Sequence, residues 1–205
     1  MLKEIFASLA ANYCDDTALV HDMWVEIEKS HSAKSRHYHN LKHLQNMYQE
    51  LFAVRDQVAE WDVTLFSVFY HDIVYKATAK DNEEQSAALA GKRLSAIHFP
   101  AVGILKCQQL ILATKQHNAV NDSDTNYFLD ADMAILGSDW DAYKQYFTNI
   151  RKEYAIYPDF LYNPGRVKVL NQFLLTDYIF GTRNFRDKYE LAARTNIKKE
   201  LEHLL

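Results

Sequence analysis

The sequence predicts an all-α protein of one domain, and three observations carry that expectation. Only five glycines and three prolines interrupt 205 residues, too few turn formers for a chain of many short strands. Apolar residues recur at three- and four-residue spacing, without the sustained alternation that half-buried strands require. No internal repeat or low-complexity linker divides the chain. The length suits one large domain with a substantial core, and 48% hydrophobic with 24% charged residues is an ordinary globular balance. The expected domain is 1–205, with helices over about 1–31 packing on a core of 36–205.

The elements follow in order. Leu2, Ile5, Phe6, Leu9 and Tyr13 have helical spacing, and Asp15-Asp16-Thr17 ends that helix and caps the next. The second helix places Val20, Met23, Trp24 and Ile27 on one face. A polar connector from Ser32 ends in Arg36-His37-Tyr38-His39-Asn40. A third helix runs from about Asn40 with Leu41, Leu44, Met47, Tyr48 and Leu51 as its apolar stripe. The fourth is expected to start at an Asp62 cap and to carry Leu65, Phe66, Val68 and Phe69 towards His71-Asp72. Asp81 and Glu84 have capping-box spacing at the head of the fifth, which leaves Asn82 and Glu83 to bind water or outer-shell groups. The sixth covers about 102–115 and delivers Lys115 and His117 to its end, where a basic last turn also suits the helix dipole. A polar loop is expected over 118–126, then a helix holding Asp130 and Asp132 in an apolar frame. An Asp139-capped helix follows, with Arg151 and Glu153 as solvated charges and a stop at Pro158. Asn163-Pro164-Gly165-Arg166 is expected to open a ninth helix, and the last ends over Leu201–Leu205.

Charge and composition exclude several functions. A net charge of −4 gives nucleic acid or an anionic membrane no electrostatic purchase. Cys14 and Cys107 are far apart and outside any CxxC pattern, as expected of core residues in a reducing compartment. No apolar run is long enough to span a bilayer, and Met1-Leu2-Lys3-Glu4 opens an amphipathic segment rather than a signal peptide. Cytoplasmic residence is the expectation. The sequon Asn121-Asp122-Ser123 carries no weight without secretion.

Chemistry concentrates in Leu65–Tyr75, an apolar and aromatic run into which one imidazole and one carboxylate are set side by side. A charged group there costs free energy unless something pairs it. A divalent cation is such a partner, since imidazole and carboxylate are ordinary ligands for zinc, manganese and iron. His21-Asp22 is an internal control: only His71-Asp72 has His37, His39 and His43 upstream and a carboxylate cluster downstream. Four of the nine histidines thus fall between positions 37 and 71. His39 and His43 are four apart, so a helix beginning early enough sets them one turn apart on one face. Asp130 and Asp132 point about 200° apart on a helix, so one of the two faces the site.

These residues resemble the His…His-Asp…Asp signature of the HD superfamily, through His43, His71-Asp72 and Asp130-Ala131-Asp132. The longer blocks Arg36–Leu44, Phe69–Tyr75, Asp81–Ala87 and Leu129–Gly137 are similar to those of its metal-dependent phosphohydrolases. The resemblance implies a helical bundle of HD type in which His43, His71, Asp72 and Asp132, with Asp130 in reserve, hold a divalent metal (Mn, Mg, Zn, Ni or Fe). Tyr38–His43 also resembles the His-Asn-x-x-His element of cyclic nucleotide phosphodiesterases, which implies His43 as ligand and His39 as general acid. The glutamine clamp of those enzymes is not discernible. The implied reaction is hydrolysis of a small-molecule phosphate ester or nucleotide by metal-activated water. In it Asp72 both ligates and orients the water, and Lys115, His117 and Arg166 stabilise the phosphoryl charge. The competing expectations are a di-iron oxygenase on the same frame, drawing extra ligands from His117, Glu83 or Asn82, and a non-enzymatic nucleotide or metal sensor.

Overall fold

The run Val63–Tyr70 is buried at every position, because a helix apolar all round has no face to give to solvent. In the computed structural model, which describes residues 1–117 and 119–204, it is the centre of the first of two compact units, Met1–Asn118 and Ala119–Leu205. All regular structure among the described residues is helical. The head of the expected 118–126 loop, Asn118, and the chain's last residue, Leu205, lie outside the described residues.

The first unit contains α1 (Leu2–Ala11), α2 (Thr17–His31), α3 (Leu41–Ala53), α4 (Trp61–Tyr70), α5 (Asn82–Ala96) and α6 (Ala101–Ala113), with a 3-10 turn at Arg55–Gln57. Helices α1, α3, α5 and α6 all pack on α4. Phe6 of α1 meets Phe69 and Phe66 edge-on, with ring centroids 5.1 and 6.3 Å away, and Trp24 of α2 at 6.2 Å. Polar ties cross the same unit: Tyr13 donates to Asp62 at 2.7 Å, and Arg93 of α5 grips Glu26 of α2 with two 2.7 Å bonds. A Cβ on Gly91 would stand 2.6 Å from the Gln108 side chain, so glycine there lets Gln108 of α6 donate to the Ala87 carbonyl of α5.

The second unit holds α7 (Ser123–Met133), a 3-10 turn (Ala134–Gly137), α8 (Trp140–Glu153), α9 (Asp159–Leu175) and α10 (Arg183–Leu204). Helix α10 lies against that turn. A Cβ on Gly137 would meet the Tyr189 carbonyl at 2.8 Å, and Asn196 of α10 donates to the Leu136 and Ser138 carbonyls. Buried Glu200 of α10 accepts from Tyr143 of α8 and, in a bidentate pair, from Arg166 of α9.

Several boundaries differ from expectation, each for a local reason. The caps at Asp16 and Asp139 form as expected. Helix α4 starts one residue before Asp62, whose carboxylate receives the Tyr13 hydroxyl instead of capping. The Asp81–Glu84 box does not form: Asp81 makes no side-chain cap bond, and Glu84 pairs with Lys115. Helix α7 begins at Ser123, inside the expected loop, because Asp122 caps it through the Thr125 amide. Helix α9 begins at Asp159 and carries Pro164 in its interior. Arg151 is not simply solvated, since it binds Asp159 and the Tyr154 and Tyr157 carbonyls across the α8–α9 corner.

Candidate metal centre

Two imidazole nitrogens and a carboxylate oxygen meet in the first unit. His43 sits in the first turn of α3, buried because it shares the face of Leu44 and Met47. His71 caps the C-terminus of α4, its amide donating to the Ser67 carbonyl at 2.9 Å. The two Nε2 atoms stand 3.1 Å apart. The Asp72 Oδ2 atom lies 3.1 Å from His71 Nε2 and 3.9 Å from His43 Nε2. His71 uses its other nitrogen on the Val68 carbonyl at 3.0 Å. A carbonyl only accepts, so Nδ1 carries a proton and Nε2 is the ring nitrogen turned to His43 Nε2 and Asp72 Oδ2. Metal-binding histidines are commonly held in this way, with one ring nitrogen on an outer-shell carbonyl.

His39 precedes α3 rather than lying on it. Asn40 is the N-cap, in extended backbone, with its side chain on the Lys42 amide. The expectation of one helical face for His39 and His43 is therefore not met, because the cap turns the chain between them. His39 reaches the cluster from the connector, with its Nε2 4.0 Å from Asp72 Oδ2 and its ring 4.3 Å from that of Tyr75 at 32°. Tyr38 contacts both His39 and His43, at 5.0 Å each.

The segment leaving Asp72 is held by side chains. Arg36 donates to the Asp72 and Ile73 carbonyls at 2.6 and 3.0 Å. Ser86 bonds both the amide and the carbonyl of Val74, and Asn82 does the same for Lys76. Asn82 is thus engaged in fixing the loop, not left over for water. Buried His31 donates through Nδ1 to the Ile27 carbonyl at 2.9 Å. Burial, reinforced by the Arg36 charge, lowers its pKa to about 3. Sequence reasoning passed over Arg36, Tyr75 and His31; an arginine abutting a histidine-rich connector was the available signal.

The remaining expected residues occupy varied settings. His21 and Asp22 are exposed on α2. Lys115 lies just past α6, donating to the Lys80 carbonyl and pairing with Glu84; the Glu84 carboxylate raises its pKa. His117 adopts a left-handed backbone, φ 52°, and is half-buried. Arg166 is 10% exposed against Glu200, with Tyr146 under its guanidinium. In the second unit, Asp130 is buried, and both its oxygens accept hydrogen bonds: from the Gly181 amide, the Thr182 amide and the Thr182 hydroxyl, at 2.6–2.7 Å. Burial raises its pKa although these donors oppose the shift. Asp132 is half-buried on the same helix. Within the first unit, His43 and His71 could contribute to holding a metal ion.

No protein-family model, curated protein or solved structure matches this chain.

Proposed function

We infer that this chain is a metal-dependent phosphohydrolase of HD type, acting on a small phosphate ester or nucleotide. The observation that carries the reading is the meeting of His43 Nε2, His71 Nε2 and Asp72 Oδ2 within 3.1–3.9 Å, nearly free of solvent. Two imidazoles and a carboxylate are a donor set for a divalent transition metal, and the proposed fourth ligand is Asp132. A divalent cation so held supplies Lewis acidity towards a phosphoryl oxygen and lowers the pKa of bound water from ~15.7 towards ~7.

The chain's own residues then have distinct tasks. Asp72 is the most exposed of the three groups, so it can hold a metal and orient the attacking water. His39, 19% exposed, stands at the solvent side of the cluster and donates a proton to the departing oxygen. Lys115 and His117 are better placed by exposure than Arg166 to bind phosphate, since releasing Arg166 would strand the buried Glu200 carboxylate.

The test is metal-stripped protein, reconstituted in turn with manganese, magnesium, nickel, zinc and iron, and screened against phosphomonoesters and phosphodiesters. Turnover with at least one metal is expected. His39→Ala should keep its metal but lose ~10²–10⁴-fold in rate on substrates with poor leaving groups. The loss should shrink for p-nitrophenolate, which needs little protonation. No turnover with any metal, or equal slowing on both substrates, would overturn the hydrolase reading or the role of His39 respectively.

A further inference from the structure

Arg36 reaches both segments of the cluster through their backbone carbonyls rather than their side chains. Its Nη1 donates to the His39 carbonyl at 3.1 Å and to the Asp72 carbonyl at 2.6 Å, while Nη2 donates to the Ile73 carbonyl at 3.0 Å. One buried guanidinium thus ties the connector before α3 to the turn after α4, segments far apart in sequence. The same guanidinium lies 5.5 Å from the Tyr75 ring centre, and that ring packs on His39. A planar fork with five N–H groups spans three carbonyls; a lysine ammonium has the donors but not the reach or fixed geometry.

We propose that Arg36 is a positioning residue, with Tyr75 as its auxiliary, that sets where the His39 imidazole and the Asp72 carboxylate stand relative to one another. The 4.0 Å separation of His39 Nε2 and Asp72 Oδ2 then follows from backbone held at both ends: Arg36 fixes each carbonyl, and Tyr75 fixes the His39 ring angle. The bond to the Ile73 carbonyl is buried and those to the His39 and Asp72 carbonyls are part-buried, so losing the guanidinium leaves the Ile73 carbonyl, at least, with no water to replace it. Ser86 and Asn82 hold the residues that follow, so Arg36 is the link that reaches back to His39. The inference rests on the metal reading for its effect on the cation, but not for its effect on His39.

Two readouts separate those parts. Cobalt(II) titrated into metal-stripped protein reports affinity and, through its visible spectrum, ligand geometry. Nuclear Overhauser contacts between the His39 and Tyr75 rings report His39 placement without any metal. Arg36→Lys is expected to weaken cobalt binding ~10–100-fold, the usual cost of losing an outer-shell support, to alter the spectrum, and to lose the ring contacts. Arg93→Lys breaks the bidentate Glu26 pair of the same unit and should lower the melting temperature while leaving both readouts unchanged. Arg36→Lys with wild-type cobalt spectrum and ring contacts overturns the proposal. If Arg36→Lys does not fold, Tyr75→Leu decides: it should erase the contacts between the Tyr38 and His39 rings while cobalt affinity stays within a few-fold, and retained contacts overturn the proposal. If wild-type protein binds no cobalt, the metal reading falls and the ring contacts alone judge Arg36.

Discussion

His71 and His21 are each followed by aspartate, yet one pair is set among buried acceptors and the other faces solvent. That contrast predicts the outcome of alanine substitution. His71→Ala or Asp72→Ala should abolish binding of manganese or cobalt, while His21→Ala and Asp22→Ala leave it unchanged; equal loss from both pairs would remove the meaning of the contrast. The late aspartates should divide likewise. Asp130→Asn removes an acceptor from the Gly181–Thr182 amides and should lower the melting temperature with metal retained, whereas Asp132→Asn should lose metal with little change in the apoprotein's melting. Calorimetric metal titration beside thermal unfolding separates the two. His31 supplies a pH dependence. Its ring is neutral when folded, with a pKa near 3 against 6.5, so between those values the unfolded chain binds more protons. Stability therefore rises with pH through that window and is lost as pH falls, by up to about 1.4 kcal/mol per pH unit from this ring. His31→Gln should flatten the pH slope of the urea midpoint between pH 6.5 and 4.5, measured without metal; an unchanged slope would remove His31 from the account.

Among the elements, the clearest case of a tertiary demand is the ion pair joining α9 to α10. Arg166 and Glu200 are both nearly solvent-free, and the Tyr143 hydroxyl completes the Glu200 shell. Removing one partner strands the other. Arg166→Met should cost about 3–5 kcal/mol of unfolding free energy. Arg166→Met with Glu200→Gln should recover much of that loss, and a double variant as unstable as the single one would contradict the pairing. Helix α9 also carries Pro164 in its interior. Its start at Asp159 rather than Asn163 is fixed by Arg151, which holds Asp159 and two carbonyls of the preceding corner. Local propensity reads Asn163-Pro164-Gly165 as a beginning; the side-chain staple makes it an interior.

For the whole molecule, a cation that binds only folded protein adds RT ln(1 + [L]/Kd), about 2.7 kcal/mol at a hundredfold excess over Kd. Manganese or cobalt should therefore raise the melting temperature of the wild-type chain and not that of Asp72→Ala. A rise of equal size in both would place the cation elsewhere. No helix among the described residues is long and apolar enough to cross a membrane.

The sequence by itself determined the helical class, most helix faces and the Asp16 and Asp139 caps, because apolar spacing and capping act over one or two turns. It also singled out His43, His71 and Asp72, since polar groups inside an apolar stripe are conspicuous without coordinates. Only the tertiary structure decided that Asp62 serves Tyr13 and Glu84 serves Lys115 rather than their own helices, and that Asp130 is consumed by the Gly181–Thr182 turn. It alone revealed that Arg36 joins two segments through carbonyls. Those outcomes depend on which side chain a distant segment brings within hydrogen-bond reach, and carbonyl acceptors are the same at every residue, so no residue type announces them.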